Sequence, residues 1–454
     1  MRKKSIFKFS TTHLIMMSFF IAILVGSILL VLPFSSATGK SVPYIDALFT
    51  ATTATCVTGL VTVPTVTTWS IFGQVVILIL IQIGGLGIIT IMTGIMLMLQ
   101  RKLGLGDRLL IQDAFNLNTL SGLVRFVKKV IGGTFLIEGI GALLYMIVFI
   151  PKFGAKGIWI SIFNSVSAFC NAGIDIIAEN SLADYVTNPL VNIVTCSLIV
   201  VSGIGYIVWW DILRVMKDKS HRRYRRFRNL TLHSKIAITA TALLVVSGAI
   251  LFFIFEYNNP LTMKDYSLFE KIQASLFQSV TTRTAGFFTI PQENLSNASS
   301  FVCLLLMFIG GSPVGTAGGA KTVTIVVLVA SAIASVKNRN EVILFHRTLS
   351  KQAVIKAIAV VVTAFAIIFT STVLLSAVTP SASALDVVYE TVSATATVGL
   401  TRNLTSSLNL LGKLIIILTM YLGRIGPISL AIAFKTRKIN EYIITNPIED
   451  ISVG

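Results

Sequence analysis

Ionisable side chains are scarce in this chain. Of its 454 residues only 12% are Asp, Glu, Lys or Arg, against 54% that are hydrophobic. A soluble domain of this length cannot bury so much apolar surface, so the composition excludes that class and points to a multi-spanning membrane protein. Acid is the scarcer sign, with 19 Asp and Glu against 37 Lys and Arg. Cysteine and histidine number only four each. Cys56, Cys170, Cys196 and Cys303 sit in apolar or small-residue segments without metal-type pairing, which argues against a disulfide or zinc framework. The histidines, His13, His221, His233 and His346, are scattered without ligand spacing. The sequence also offers no Ser/His/Asp set, no paired acids in a polar setting and no phosphate loop, so an enzyme is not expected.

Repetition is what the chain has in plenty. A phrase of one aromatic, a run of small and hydroxyl residues, a glycine and a bulky apolar residue occurs four times, at 49–60, 163–174, 277–287 and 389–400. Its glycine recurs every 113 or 114 residues, as Gly59, Gly173, Gly286 and Gly399. Such a period divides the chain into four structural repeats. Each quarter holds the phrase between two apolar stretches: 10–34 and 71–100, 127–150 and 188–212, 236–257 and 299–336, 352–378 and 410–434. A bilayer core needs about 20 residues per helix, so eight spans are expected. The first follows Arg2-Lys3-Lys4 and reads as a retained span and not a signal peptide, being too long for an h-region and lacking a clear cleavage site. Segments 43–55, 158–169, 268–281 and 383–395 are too short to cross and suit half-helices that enter and turn back.

Charge sets the orientation. The N-terminal tail, the segments between quarters and the segment 435–438 after the last span carry 27 of the 37 Lys and Arg, and the phrase loops carry seven. By the positive-inside rule both termini are cytoplasmic and the four phrases face outward. Trp209 and Trp210 fit a cytoplasmic aromatic anchor. The densest basic run, 219–228, reads either as a topology determinant on anionic lipid or as a dock for a cytosolic partner.

The phrase has the chemistry of a cation filter. A cation leaves water only where oxygens replace its hydration shell, and backbone carbonyls do so with little net charge. They can point at one axis only from unwound chain, which calls for small residues and a glycine free of the β-carbon clash. Thr55, Cys56, Val57, Thr58 and Gly59 meet this need, as do Cys170, Asn171, Ala172 and Gly173, then Thr284, Ala285 and Gly286, and finally Thr397, Val398 and Gly399. A preceding short helix would aim its partially negative C-terminal end at the cation. The bland reading of one phrase is a small-residue packing motif. Four at equal spacing, each between two spans, favour the filter.

The sixth span contains Gly310, Gly311, Ser312, Pro313, Gly315, Thr316, Gly318, Gly319 and Lys321, and so many glycines with a proline cannot form unbroken helix. Ala320 before Lys321 excludes a P-loop. A broken helix borders a water-filled path, so a flexible gate at 310–321 is expected. Arg424, within the eighth span, is either an electrostatic barrier below the filter or the partner of the intramembrane Glu138. Arg283, inside the third phrase, is expected to point away from the ion and brace its loop. The glycine pairs of the second spans, Gly84, Gly85 and Gly87, Gly203 and Gly205, Gly310 and Gly311, and Gly423 and Gly426, read as helix-packing glycines around a pore.

The span–phrase–span plan, with Thr-Cys-Val-Thr-Gly-Leu, Asn-Ala-Gly-Ile, Thr-Ala-Gly-Phe and Thr-Val-Gly-Leu, resembles the Trk/Ktr/HKT superfamily of cation transporters over roughly residues 10–440, most closely its bacterial KtrB-type membrane subunits. The resemblance implies an all-α fold of four tandem M1–P–M2 repeats, with eight transmembrane helices and four re-entrant pore loops in pseudo-fourfold symmetry around a central pore. It implies K+ uptake across the cell membrane, an intramembrane gate at 310–321 and a barrier role for Arg424. It also implies a homodimer with one pore per subunit, and a cytosolic KtrA- or KtrC-type ring. Nucleotide would bind only to that ring, and no covalent cofactor is implied. Na+ stimulation occurs in the family, but no Na+ site is legible here. A filter glycine replaced by serine accompanies Na+ permeation in the family, and all four are glycine here. A sodium or mixed-cation member is the alternative. An alternating-access carrier would show inverted repeats, whereas two spans per quarter make all four run the same way. The expected division is an N-terminal tail (1–9), repeat 1 (10–115), repeat 2 (116–218), a basic linker (219–235), repeat 3 with its broken second helix (236–340), repeat 4 (341–440) and a C-terminal tail (441–454).

Overall fold

The computed structural model describes residues 11–99, 104, 122–218, 226–339 and 341–426. Both tails, most of the basic segment after the second span, much of the run 219–228 and the far half of the eighth span lie outside the described residues. Among the described residues four helices are each long and apolar enough to cross a membrane, and up to six spans are counted if each bent pair described below is one span: α1 (Thr11–Val31), α5 (Leu123–Phe153), α9 (Leu232–Glu256) and α13 (Lys351–Val378) are the four. Each is the first apolar stretch of its quarter. They present large apolar side chains outward, such as Ile28, Leu143, Leu243 and Phe365, each at least half exposed. That is the surface of a helix bathed in lipid.

A short helix follows each of them: α2 (Tyr44–Cys56), α6 (Lys156–Cys170), α10 (Leu268–Thr281) and α14 (Ala384–Ala396). At 13 to 15 residues these are roughly 20 Å long, against a hydrocarbon core of about 30 Å. They start and stop within two residues of the segments expected from sequence. Their last turns are buried throughout, and the aromatic that opens each phrase, Phe49, Phe163, Phe277 or Tyr389, is at most 1% exposed. Among neighbours as apolar as lipid, such burial is rewarded by close packing and not by release of water.

The second apolar stretches begin α3 (Ile71–Leu86), α7 (Pro189–Gly203), α11 (Asn297–Phe308) and α15 (Leu410–Ile425). Each is capped by a side chain accepting from backbone N–H, namely Ser70, Asn188, Ser296 and Asn409. None continues as one straight helix. After α3 the chain turns at Gly87 (φ +82°) into α4 (Ile88–Met98), bent by 99°. After α7 it turns at Gly205 (φ +96°) into α8 (Tyr206–Lys217), bent by 93°. After α11 residues 309–321 are irregular until α12 (Thr322–Val336), and α15 ends on Gly426 (φ +88°). A break was expected only in the sixth span, so the structure corrects the reading of the second and fourth, while the eighth beyond Gly426 lies outside the described residues. Glycine at positive φ costs no β-carbon clash, which is why these positions turn.

Of the remaining glycines Gly84, Gly85 and Gly423 do pack closely, on the short helices, whereas a β-carbon on Gly203 would meet nothing nearer than 3.8 Å. A β-carbon on Gly84 would strike the Thr55 carbonyl, one on Gly85 the Cys170 side chain, and one on Gly423 the Thr395 carbonyl. They let α3 and α15 lie directly against the C-terminal ends of α2, α6 and α14.

Candidate functional site

The C-terminal ends of the short helices are built alike. In α2 the N–H of Val57 donates to Ala54 O (3.2 Å) and that of Thr58 to Thr53 O (2.8 Å). Asn171 and Ala172 repeat the pair on Ala168 O and Ser167 O, and Thr397 and Val398 on Ala394 O and Ser393 O. This is the Schellman closure, which places its first residue past the helix in the left-handed region. Val57, Asn171 and Thr397 accordingly have φ of +55°, +59° and +51°, and Thr284 reaches +70° in the one-residue-shorter third phrase. Such a φ is uncommon for any non-glycine residue and strained for the β-branched ones.

A hydroxyl in each last turn then staples the chain that follows. Thr53 Oγ1 accepts from Gly59 N (2.9 Å) and Ser393 Oγ from Gly399 N (3.1 Å). Ser167 Oγ donates to Ile174 O (2.5 Å), and Thr281 Oγ1 donates to Phe287 O. The hydroxyl run in the phrase therefore supports the turn from behind, a role that reading it as a carbonyl display did not assign. Thr55, Cys56 and Cys170 were expected in unwound chain. They are the closing residues of α2 and α6, because the helix does not end until the left-handed residue.

The four turns meet. A β-carbon built on Gly59 would lie 2.6 Å from Ala172 O, one on Gly173 2.5 Å from Ala285 O, and one on Gly286 2.6 Å from Val398 O. One on Gly399 would overlap Thr58 O, which closes the cycle. Each glycine thus faces the carbonyl that precedes the glycine of another quarter, and all four glycine φ values are positive, from +62° to +100°. Four carbonyls from four quarters and the C-terminal ends of four helices converge on one place. That place is rich in partial negative charge. Beyond the turns, half-buried Asp175 accepts from Ile177 N (3.3 Å). Burial pushes its carboxyl up to about 6, against the hydrogen bond from Ile177 N.

Residues 309–321 pack against the helix-end side of this ring. Ser312 N donates to Gly203 O (2.8 Å), and Tyr206 N to Val314 O (2.9 Å). Thr316 Oγ1 donates to Phe169 O (3.1 Å), and Gly318 N donates to Thr284 Oγ1 (3.2 Å). A β-carbon on Gly318 would strike Thr397 Oγ1 and Ala396 O. Lys321 Nζ turns back onto Ala317 O (2.5 Å). Gly310, Gly311, Pro313, Gly315 and Gly319 lie in the same irregular stretch.

Arg424 reaches across it: Nη1 donates to Thr316 O (2.9 Å) and Nη2 to Gly84 O, so one guanidinium joins quarters four, three and one. Glu138 instead accepts from Gln82 Nε2 (3.2 Å to each oxygen) beside Cys170 Sγ. Of the two readings of Arg424, the ion pair with Glu138 is not formed. Arg283 Nη2 donates to Thr241 Oγ1 (3.3 Å) and Gly310 O (3.4 Å), which names the partners of its bracing side chain.

The seams between quarters carry contacts that the sequence did not reveal. Lys413 Nζ pairs with Asp46 (2.6 Å), which also accepts from Thr62 Oγ1 (2.7 Å). Arg402 holds Asp386 (2.8 Å), Gln292 O (3.1 Å) and Ser300 Oγ (2.8 Å). Gln273 Nε2 donates to Val186 O (2.7 Å), and Trp159 Nε1 to Gln74 Oε1 (2.8 Å). Only the carboxylate–cation spacings could have hinted at these, and they span up to 367 residues.

Comparison with known proteins gives concordant matches. A family model described as TrkH, cation transport protein, matches residues 2–442. The potassium/sodium uptake protein NtpJ of Enterococcus hirae is 41% identical over 430 residues, covering 94% of this chain and 93% of that one. The Ktr system potassium uptake protein B of Bacillus subtilis is 41% identical over 435 residues, 95% of each chain. The crystal structure of the potassium transporter TrkH from Vibrio parahaemolyticus superposes with a TM-score of 0.74 at 16% identity, covering 96% of this chain and 87% of that one.

Proposed function

This chain belongs to the TrkH family of cation transport proteins, transporters and not enzymes, and from that premise we propose that it is the K+-translocating membrane subunit of a Ktr-type uptake system. The reading rests above all on the closed cycle in which Gly59, Gly173, Gly286 and Gly399 each face a carbonyl of another quarter. Those oxygens replace the water around one dehydrated K+ ion, and the four M1–P–M2 quarters surround it with pseudo-fourfold symmetry. Backbone oxygens without a fixed anion hold the ion loosely enough for it to leave. Entry is downhill: each 100 mV of inside-negative potential is worth roughly 2.3 kcal/mol per ion, or about a 50-fold gradient.

Residues 310–321 form the gate on the cytoplasmic side of the filter. Arg424 latches it closed through Thr316 O and adds a positive charge that an ion must pass. The chain works as a homodimer with both termini cytoplasmic, and a KtrA- or KtrC-type ring moves the gate when its nucleotide changes. The name of the Enterococcus relative, a potassium/sodium uptake protein, favours mixed-cation transport as the second reading. Uptake of rubidium against sodium by K+-deficient cells decides between them. Strong preference for rubidium is expected, and equal rates would support the second reading. Rubidium or thallium density centred among the four glycines is expected in the same protein. Its absence there would sink the filter assignment.

A further inference from the structure

The four left-handed residues are equivalent by position, but their side chains meet different things. Val57 lies against Gly84. Thr284 and Thr397 touch Gly318 of the loop. Asn171 does more. It is 1% exposed, and its Nδ2 donates to Thr316 Oγ1 at 2.9 Å. Thr316 in turn donates to Phe169 O. Its other amide atom, Oδ1, is buried without a hydrogen-bond partner. An amide with one end unpaired in a dry site is costly. Asparagine does tolerate the left-handed region better than most residues. That tolerance alone does not account for it, since Val57 and Thr397 hold nearly the same φ with β-branched side chains.

We propose that Asn171 is a positioning residue acting through its carboxamide, which ties the gating loop to the turn carrying Ala172 and Gly173, so that gate movement and filter geometry are coupled. The proposal rests on the gate reading above. The loop cannot leave its seat without freeing Asn171. Asn171 cannot swing away without disturbing the turn whose carbonyl, at Ala172, faces Gly59. Opening would therefore alter the ring at its second corner first.

The test is rubidium and sodium flux through the full chain in proteoliposomes. It compares Asn171→Ala, Thr316→Val, their double variant, Thr316→Ser and a chain lacking residues 312–319. Thr316→Val is isosteric and leaves Asn171 in place, so it keeps the test open if Asn171→Ala folds poorly. Each single variant is expected to raise basal rubidium flux about threefold or more and to lower the rubidium-to-sodium ratio, and the double variant to add little beyond either. Thr316→Ser, keeping the hydroxyl, should fall nearer the parent chain than Thr316→Val does. A merely structural role would change protein yield without moving the ion ratio. If the deletion opens the pathway while both single variants conduct like the parent, the coupling is wrong and the gate stands. Independent, additive effects of the two single variants would also overturn the coupling. If the deletion changes nothing, gate and coupling fall together.

Discussion

The ring of turns and the loop packed on it are made by opposite means. The ring is one device used four times. It has a short helix, a left-handed residue, a hydroxyl staple and a glycine set against the next carbonyl, with only the third copy one residue shorter. The loop occurs once, in the third quarter, and its contacts are all different. It meets Gly203, Tyr206 and Asn171 of the second quarter, Thr284 of its own, and Arg424 of the fourth. Repetition suits a site that must treat an ion alike from every side. On the proposed reading the loop is a controlling element, which has no such need and whose single irregular copy is released without dismantling the ring. Its polar backbone is tolerated inside a membrane because other parts of the protein satisfy it.

The contrast yields predictions of graded size. The largest concerns the ring. Gly399→Ser would drive a side chain into the Thr58 carbonyl, a backbone atom that cannot yield without moving the turn. Rubidium-over-sodium preference in uptake assays is expected to fall by about tenfold or more, the equivalent of roughly 1.4 kcal/mol in differential ion binding. An unchanged preference would mean that the ring does not select. Next comes the loop. Arg424→Ala removes charge-assisted hydrogen bonds to Thr316 O and Gly84 O, each worth about 1.5–3 kcal/mol in a closed state. Basal rubidium flux should rise several-fold with ion preference nearly intact. Unaltered flux from a normally folded variant would remove Arg424 from the gate. The smallest effect on ion passage belongs to the frame, where the loss is one of stability. Lys413→Met leaves Asp46 largely buried without its cation, at a cost of about 3 kcal/mol. A melting temperature lower by a few degrees is expected, partly restored by Asp46→Asn, with ion preference unmoved.

Much of this was open to the sequence. The four short helices fell within two residues of expectation, because a glycine after a hydroxyl-rich apolar run marks a helix end wherever it occurs, and the period counted it four times. The break in the sixth span was equally plain from its glycines and Pro313. The bends at Gly87 and Gly205 were not. One glycine inside an apolar stretch is compatible with either a straight helix or a turn, and only the neighbouring helix ends force the choice. Thr55, Cys56 and Cys170 were set in unwound chain for a related reason. The residue at which a helix stops depends on a Schellman closure that valine and threonine enter against their own preference.

What the linear order of residues determined by itself is the kind of molecule. Abundant apolar residues, few acids and four evenly spaced phrases require a membrane protein of four like quarters, since these depend only on composition, period and the thickness of a bilayer. What the tertiary structure alone decided is which atoms meet. That Gly59 faces Ala172 O, that Asn171 grips Thr316 and that Arg424 passes over Glu138 for two carbonyls are contacts between residues about 110 to 340 apart. No local pattern encodes such pairs. They follow from the four glycine turns meeting in one cycle, where each side chain takes whatever partner that meeting brings within reach.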